Sequence, residues 1–194
     1  MKKVYNLRHI NFSSTFILSI ALLFLSCEES LPRPTKKGKD TFGVKINGRN
    51  WLPETGLFGP DPTSARYGNS RLTVHAAKTN KNTNEYIYIY IENITKPGEY
   101  AINFNTLPPP LGTSYTNYGT YSHNDKMYQD PVTGQLGKYV YYTTNANHKG
   151  KVKITKLDID KKIVAGTFEF TAEDYNNSNQ TVKLTKGRFD LNFK

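Results

Sequence analysis

The sequence predicts an all-β fold, a single antiparallel β-sandwich, with an up-and-down β-barrel as the alternative. Three observations carry this. Thr, Tyr, Val, Ile and Asn outweigh helix formers such as Ala and Leu, and β-branched and aromatic residues fit a pleated, half-buried surface. Residues 85–92 (EYIYIYIE) alternate strictly, which puts Ile87, Ile89 and Ile91 on one face of a strand and Tyr86, Tyr88 and Tyr90 on the other. Similar stretches recur along the chain, separated by turn formers such as Asn47-Gly48 and Pro97-Gly98.

Ahead of this body stands a stretch of another kind. Lys2, Lys3 and Arg8 precede an apolar run over residues 16–25, the charged and hydrophobic regions of a secretory signal peptide. A membrane span needs about 20 apolar residues, and this run is far shorter and interrupted by Ser19. Phe24-Leu25-Ser26-Cys27 resembles the lipobox of bacterial lipoproteins, with Phe24 where that family prefers Leu. The resemblance implies a diacylglyceryl group on the Cys27 thiol, cleavage before it and acylation of the new N-terminus. The alternatives are an ordinary cleaved signal or an uncleaved one. Cys27 is the single cysteine, so no disulfide, CxxC pair or zinc set competes for the thiol. One acyl chain anchors only marginally, at about 0.8 kcal/mol per buried CH₂, whereas two or three hold firmly. The expected location is therefore a bacterial outer membrane, at its periplasmic face or the cell surface.

Residues 28–40 (EESLPRPTKKGKD) are polar and rich in Pro and Lys and read as a flexible tether. A dozen extended residues reach about 40 Å. Glu28 and Glu29 resemble the acidic signal that sends some Bacteroidota lipoproteins to the cell surface. The remainder, residues 41–194, has room for one β domain.

The net charge is +10, and losing residues 1–27 leaves the chain basic. Export argues against nucleic acid as the partner, and lysines such as Lys151, Lys153 and Lys156 are dispersed along strands rather than gathered in a stripe. A solvated strand face is the expectation, with a weak attraction to anionic head groups or acidic polysaccharide left open.

Within the domain, Phe42, Val44 and Ile46 alternate into Asn47-Gly48, the signature of a type I′ hairpin. Trp51, the only Trp, reads as a core anchor. Residues 53–70, rich in Pro and Gly, read as a long surface loop. Strands follow over Leu72, Val74 and Ala76, over residues 85–92, and over Tyr100, Ile102 and Phe104. The tyrosines of 85–92 are expected to be packed or laterally covered rather than a bare sugar-stacking platform.

Residues 105–130 contain a triple proline, four tyrosines and His123, and read as a long Tyr- and Pro-rich loop. Loops on β scaffolds carry binding residues, so Tyr115, Tyr118, Tyr121, His123 and Tyr128 are the candidate ligand contacts. A variable insertion without function is the competing reading.

Further strands are expected at 138–144, from Val152 and Ile154, from Val164 to Phe170, and from Val182 to Phe193, with a turn over 173–180 between the last two. Residues 152–156 (VKITK) and 182–186 (VKLTK) echo each other and predict one inside–outside register for two strands. The apolar parity flips between Leu184 and Phe189 around Gly187, which predicts a β-bulge there.

Residues 154–158 (ITKLD), 166–172 (GTFEFTA) and 184–190 (LTKGRFD), with the opening 42–51 (FGVKINGRNW), resemble a family of uncharacterised exported lipoproteins of Bacteroidota. The resemblance implies an all-β lipoprotein of unknown function and brings no catalytic residues.

No GxSxG or HExxH motif occurs, and His75, His123 and His148 lack metal-ligand spacing. Asp158 and Asp160 have the start of a calcium loop without its Gly and distal Glu. No cofactor, metal site or enzymatic activity is expected. The reading is a lipid-anchored, non-catalytic binding module for a glycan or another envelope component. The alternatives are a barrel carrying an apolar ligand, or a hydrolase built on His123 and the carboxylates nearby. Oligomeric state has no sequence signal.

Overall fold

The computed structural model describes residues 30–57, 59–104, 117–132, 134 and 136–194. Cys27 and Tyr115 lie outside them. Eleven strands are present: β1 Thr41–Ile46, β2 Arg49–Trp51, β3 Thr63–Gly68, β4 Arg71–Thr79, β5 Thr83–Ile91, β6 Gly98–Ile102, β7 Tyr118–Gln129, β8 Leu136–Thr143, β9 Gly150–Asp158, β10 Ile163–Asp174 and β11 Asn177–Asn192. No helix occurs among the described residues.

All ladders between these strands are antiparallel, in the order β2-β1-β11-β10-β8-β7-β5-β4-β3, with β9 on β10 and β6 on β9. The long strand β10 is the corner. Its Ile163–Phe170 portion pairs with β9, and only Glu173 and Asp174 at its end pair with β8. The sheet folds over there, so a first layer (β2, β1, β11, β10, β9, β6) packs on a second (β8, β7, β5, β4, β3). Tyr67 against Phe193, with ring centroids 5.4 Å apart, and the Trp51–Glu85 hydrogen bond join the layers. β3 returns to the end of β11 through the single bridge Ala65–Phe193. That bridge does not continue as a ladder, so the sheet is not closed and the barrel alternative does not hold.

The inner rows are apolar. Ile87, Ile89, Ile91, Leu72, Val74 and Leu184 are fully buried, and full burial of such side chains contributes about 1.5–3 kcal/mol each. Trp51 is buried, edge-on to Phe42 at 6.0 Å. Asn47 (φ 48°) and Gly48 (φ 86°) form the two-residue turn between β1 and β2, as a type I′ hairpin requires. Val152 and Ile154 point inward from β9 as Val182 and Leu184 do from β11. The bulge falls where the parity breaks. On β11 three steps separate Gly187 from Leu184 where β10 takes two, from Phe168 to Phe170, and β1 meets the same extra residue. Lys186 there has φ 53°.

Three loop expectations are corrected. The span 53–70 contains strand β3, whose inward row of Thr63 and Ala65 is too small to stand out as apolar alternation. Residues 118–129 of the expected 105–130 loop are the twelve-residue strand β7. Its inward positions include Gly119 and His123, so no hydrophobic period marks it. The turn expected over 173–180 is reduced to Tyr175 and Asn176 between β10 and β11.

The segment read as a free tether is docked from Leu31 onward. Gly43 lacks a side chain on the outer face of β1, and a Cβ there would come within 2.6 Å of Pro32. Arg188 Nη1 donates to the Pro32 carbonyl at 3.0 Å, and Lys156 Nζ to that of Lys36 at 3.2 Å. The Asp190 carboxylate accepts from the Thr35 hydroxyl and from the amides of Lys37 (2.9 Å) and Gly38 (2.8 Å). Asp190 is 1% exposed beneath this strap. Burial alone would raise its pKa, but the hydrogen bonds from Thr35, Lys37, Gly38 and Lys39 outweigh it and hold the group below its usual value.

Candidate functional site: a tyrosine-faced sheet

Residues directly opposite in an antiparallel ladder share a face, so the register assembles the outer face of the second layer. Tyr86, Tyr88 and Tyr90 of β5 stand opposite Ser122, Thr120 and Tyr118 of β7. On their other side lie Ala77, His75 and Thr73 of β4, and Ser64 and Arg66 of β3 continue the row. Tyr141 and Tyr139 of β8 pair with Ser122 and Asn124. Thr120 and Ser122 are each 5% exposed although they face outward: they are short residues lying between the taller side chains of β5 and β8.

The rings are ordered. Tyr118 stacks on Tyr90 (5.2 Å, 17°) and on Tyr88 (6.0 Å, 26°). Tyr86 stacks on His75 at 6.0 Å and Tyr139 on Tyr141 at 6.3 Å. Such pairs contribute about 0.5–1.5 kcal/mol each beyond area burial. The Tyr88 hydroxyl is hydrogen-bonded to Thr73 and Tyr118. Tyr90 donates to Glu92 Oε1 at 2.6 Å, and Arg71 Nε holds the same oxygen at 3.3 Å. Beside them a surface groove of about 430 Å³ runs over Arg66, Arg71, Thr73, His75, Tyr88 and Tyr90.

This face keeps its phenols protonated. Burial, then the Glu92 carboxylate, pushes Tyr90 up to about 12. Burial, then the neighbouring tyrosines, pushes Tyr118 well above the usual range, and burial raises Tyr88. Burial lowers His75, which keeps the imidazole neutral at pH 7. The face therefore offers neutral rings and hydroxyls with guanidinium groups at one side. Such a surface can stack on the apolar face of a sugar ring and exchange hydrogen bonds with its hydroxyls.

The sequence-predicted contacts divide between the two sides of β7. Tyr118 is on the outer face. Tyr121 is inside, 8% exposed, with its hydroxyl donating to Glu85 Oε2 at 2.8 Å. Trp51 Nε1 donates to the same oxygen at 2.9 Å, so Glu85 ties β2, β5 and β7 together. His123 faces inward opposite Glu85, stacked on Tyr142 at 6.3 Å, with Nδ1 buried and lacking a hydrogen-bond partner among the described residues. Tyr128 lies near the far end of β7, where Lys138 Nζ stands 5.7 Å from its ring centroid. Tyr118 and Tyr121 are thus not parts of one surface. Asp125 and Asp130, the carboxylates considered beside His123, accept from the amides of Met127 and Val132.

Sequence reading missed Arg66, His75, Tyr139 and Tyr141 as members of this face. The one signal present was the alternation in residues 85–92. Its outer tyrosines are half-buried, partly covered by their neighbours yet open along one side.

No curated protein and no solved structure was found to match the chain. Residues 54–190 match the family described as a domain of unknown function, DUF6252. They take in strands β3 to β10 and most of β11, the whole of the tyrosine face included, and the chain belongs to the DUF6252 family.

Proposed function

We propose that this DUF6252 protein is a lipid-anchored, non-catalytic binding module of the bacterial envelope that takes a glycan on its tyrosine face. The observation that carries the reading is the stack Tyr88–Tyr118–Tyr90 beside the Arg66 and Arg71 groove. Rigid neutral rings that rest on a sheet lose little conformational freedom when a ring-shaped ligand settles on them. The signal-like N-terminus with Cys27 supports an envelope location.

The test is a glycan array and a thermal-shift screen against bacterial surface polysaccharides, with the Tyr90→Ala and Tyr118→Ala variants run in parallel. Loss of one stacked ring should weaken a hit by about tenfold, or about 1.4 kcal/mol. A broad panel without a hit, or hits indifferent to both substitutions, would remove the reading.

A further inference from the structure

The lysines that look dispersed in the sequence are gathered by the fold. Lys151 and Lys153 project outward from β9, alternating with the inward Val152 and Ile154, and Lys186 stands exposed at the β11 bulge. All three line one surface groove of about 490 Å³ with Pro34 of the strap. The strap adds exposed Arg33, Lys36 and Lys37. Carboxylates offset part of this charge: Glu99 and Glu169 stand 3.4 and 3.9 Å from Lys151 Nζ, Asp158 stands 3.3 Å from Lys156 Nζ, and Asp190 lies beneath the strap. The outer face of the first layer is therefore basic, whereas that of the second presents neutral phenols, Arg66 and an Arg71–Glu92 pair.

The strap also fixes where the chain leaves this face. Leu31 and Pro32 sit over Gly43 on β1, so four residue steps separate Cys27 from a docked position. At full extension these span about 14 Å. A tether free through residue 40 would reach about 40 Å and leave the domain free to tumble.

We propose that the strap-bearing basic face of the first layer rests on anionic lipid headgroups, so that the tyrosine face is turned away from the membrane. The proposal rests on the lipid-anchored reading of Cys27. The short link holds the basic groups near the bilayer, within reach of a surface potential that decays over a Debye length of about 8 Å at physiological salt. The occupant is an anionic bilayer rather than a nucleic acid, because the point of attachment brings this face to it.

The test uses the full chain as isolated from its membrane, carrying Thr167→Cys, an exposed neutral position opposite Lys153, or Ser64→Cys as a fluorescent-label site on opposite outer faces. Each is reconstituted in phosphatidylcholine vesicles with or without phosphatidylglycerol and a headgroup-bound quencher. With the anionic lipid, quenching at position 167 should exceed that at position 64 by about threefold or more, and the excess should shrink in 1 M salt. It should also shrink when Lys151, Lys153 and Lys186 are changed together to Glu, with the labels kept at the same two positions. Equal quenching at the two positions in a protein that floats with neutral vesicles would overturn the orientation and leave the anchor standing. Failure to float with neutral vesicles would overturn the anchor, and the orientation with it. Retention of the charge-reversed chain on anionic vesicles, with undiminished asymmetry, would show that the basic groups do not set the face.

Discussion

Two carboxylates, the half-buried Glu85 and the buried Asp190, hold distant pieces of the chain, and each does so by accepting several donors. Glu85 takes the indole N–H of Trp51 and the phenol of Tyr121 on one oxygen. Burial, then Glu85, raises the Tyr121 pKa far above its usual range, so the phenol remains a donor. Glu85→Ala leaves both donors without an acceptor and should cost about 2–4 kcal/mol, read as a lower denaturation midpoint at an unchanged m-value; a loss below about 0.5 kcal/mol would contradict this assignment. Asp190 does the same for the strap. Its folded pKa is depressed, so its stabilisation is present above the unfolded value of 3.8 and disappears as pH falls through the folded value. Asp190→Asn should therefore be less stable than the native chain by about 1–3 kcal/mol at pH 7. Melting temperatures measured from pH 7 downwards should converge as Asp190 protonates below about pH 4. A gap independent of pH would mean that the charge is not what holds the strap.

At the scale of elements, the strap depends on an absence. Gly43 has no side chain, and the Cβ of any replacement meets Pro32 at 2.6 Å and Leu52 at 3.0 Å. Gly43→Val, compatible with an extended strand, should expel residues 31–34 while the sheet persists. Limited trypsin digestion would show this as faster cleavage after Lys36 and Lys37 with the circular dichroism spectrum retained; unchanged cleavage would refute the seat. The type I′ turn is a second local dependency. Gly48 at φ 86° should lose about 1 kcal/mol on substitution by Ala, measured by urea unfolding. Elements whose pattern is apolar were legible in the sequence: the Ile87, Ile89, Ile91 row, the hairpin at Asn47-Gly48, and the β11 bulge, announced by a parity break between Leu184 and Phe189. β7 was not, because its inward row opens on Gly119 and passes through His123. The docked strap was not either. Its attachment is by main-chain amides to one carboxylate 152 residues or more away, and main-chain donors leave no trace in residue type.

For the whole molecule, folding one sheet over at the end of β10 gives two outer faces of opposite character, one basic and strapped, one neutral and aromatic. All-β architecture with a single core was readable from alternation, because each strand declares its inner row by itself. The tyrosine face was readable only as the fragment in β5. Its other members come from β3, β4, β7 and β8, and only the pairing register places His75 and Tyr118 beside Tyr88. The central claim is that this face is the contact surface. Its most direct test is an NMR titration of the full chain with the bacterial surface polysaccharides of the proposed screen. The account predicts amide and ring shifts confined to the outer positions of β3, β4, β5, β7 and β8, abolished by Tyr90→Ala with Tyr118→Ala. Shifts that map to the strap-bearing face, or that survive this double substitution, would contradict it.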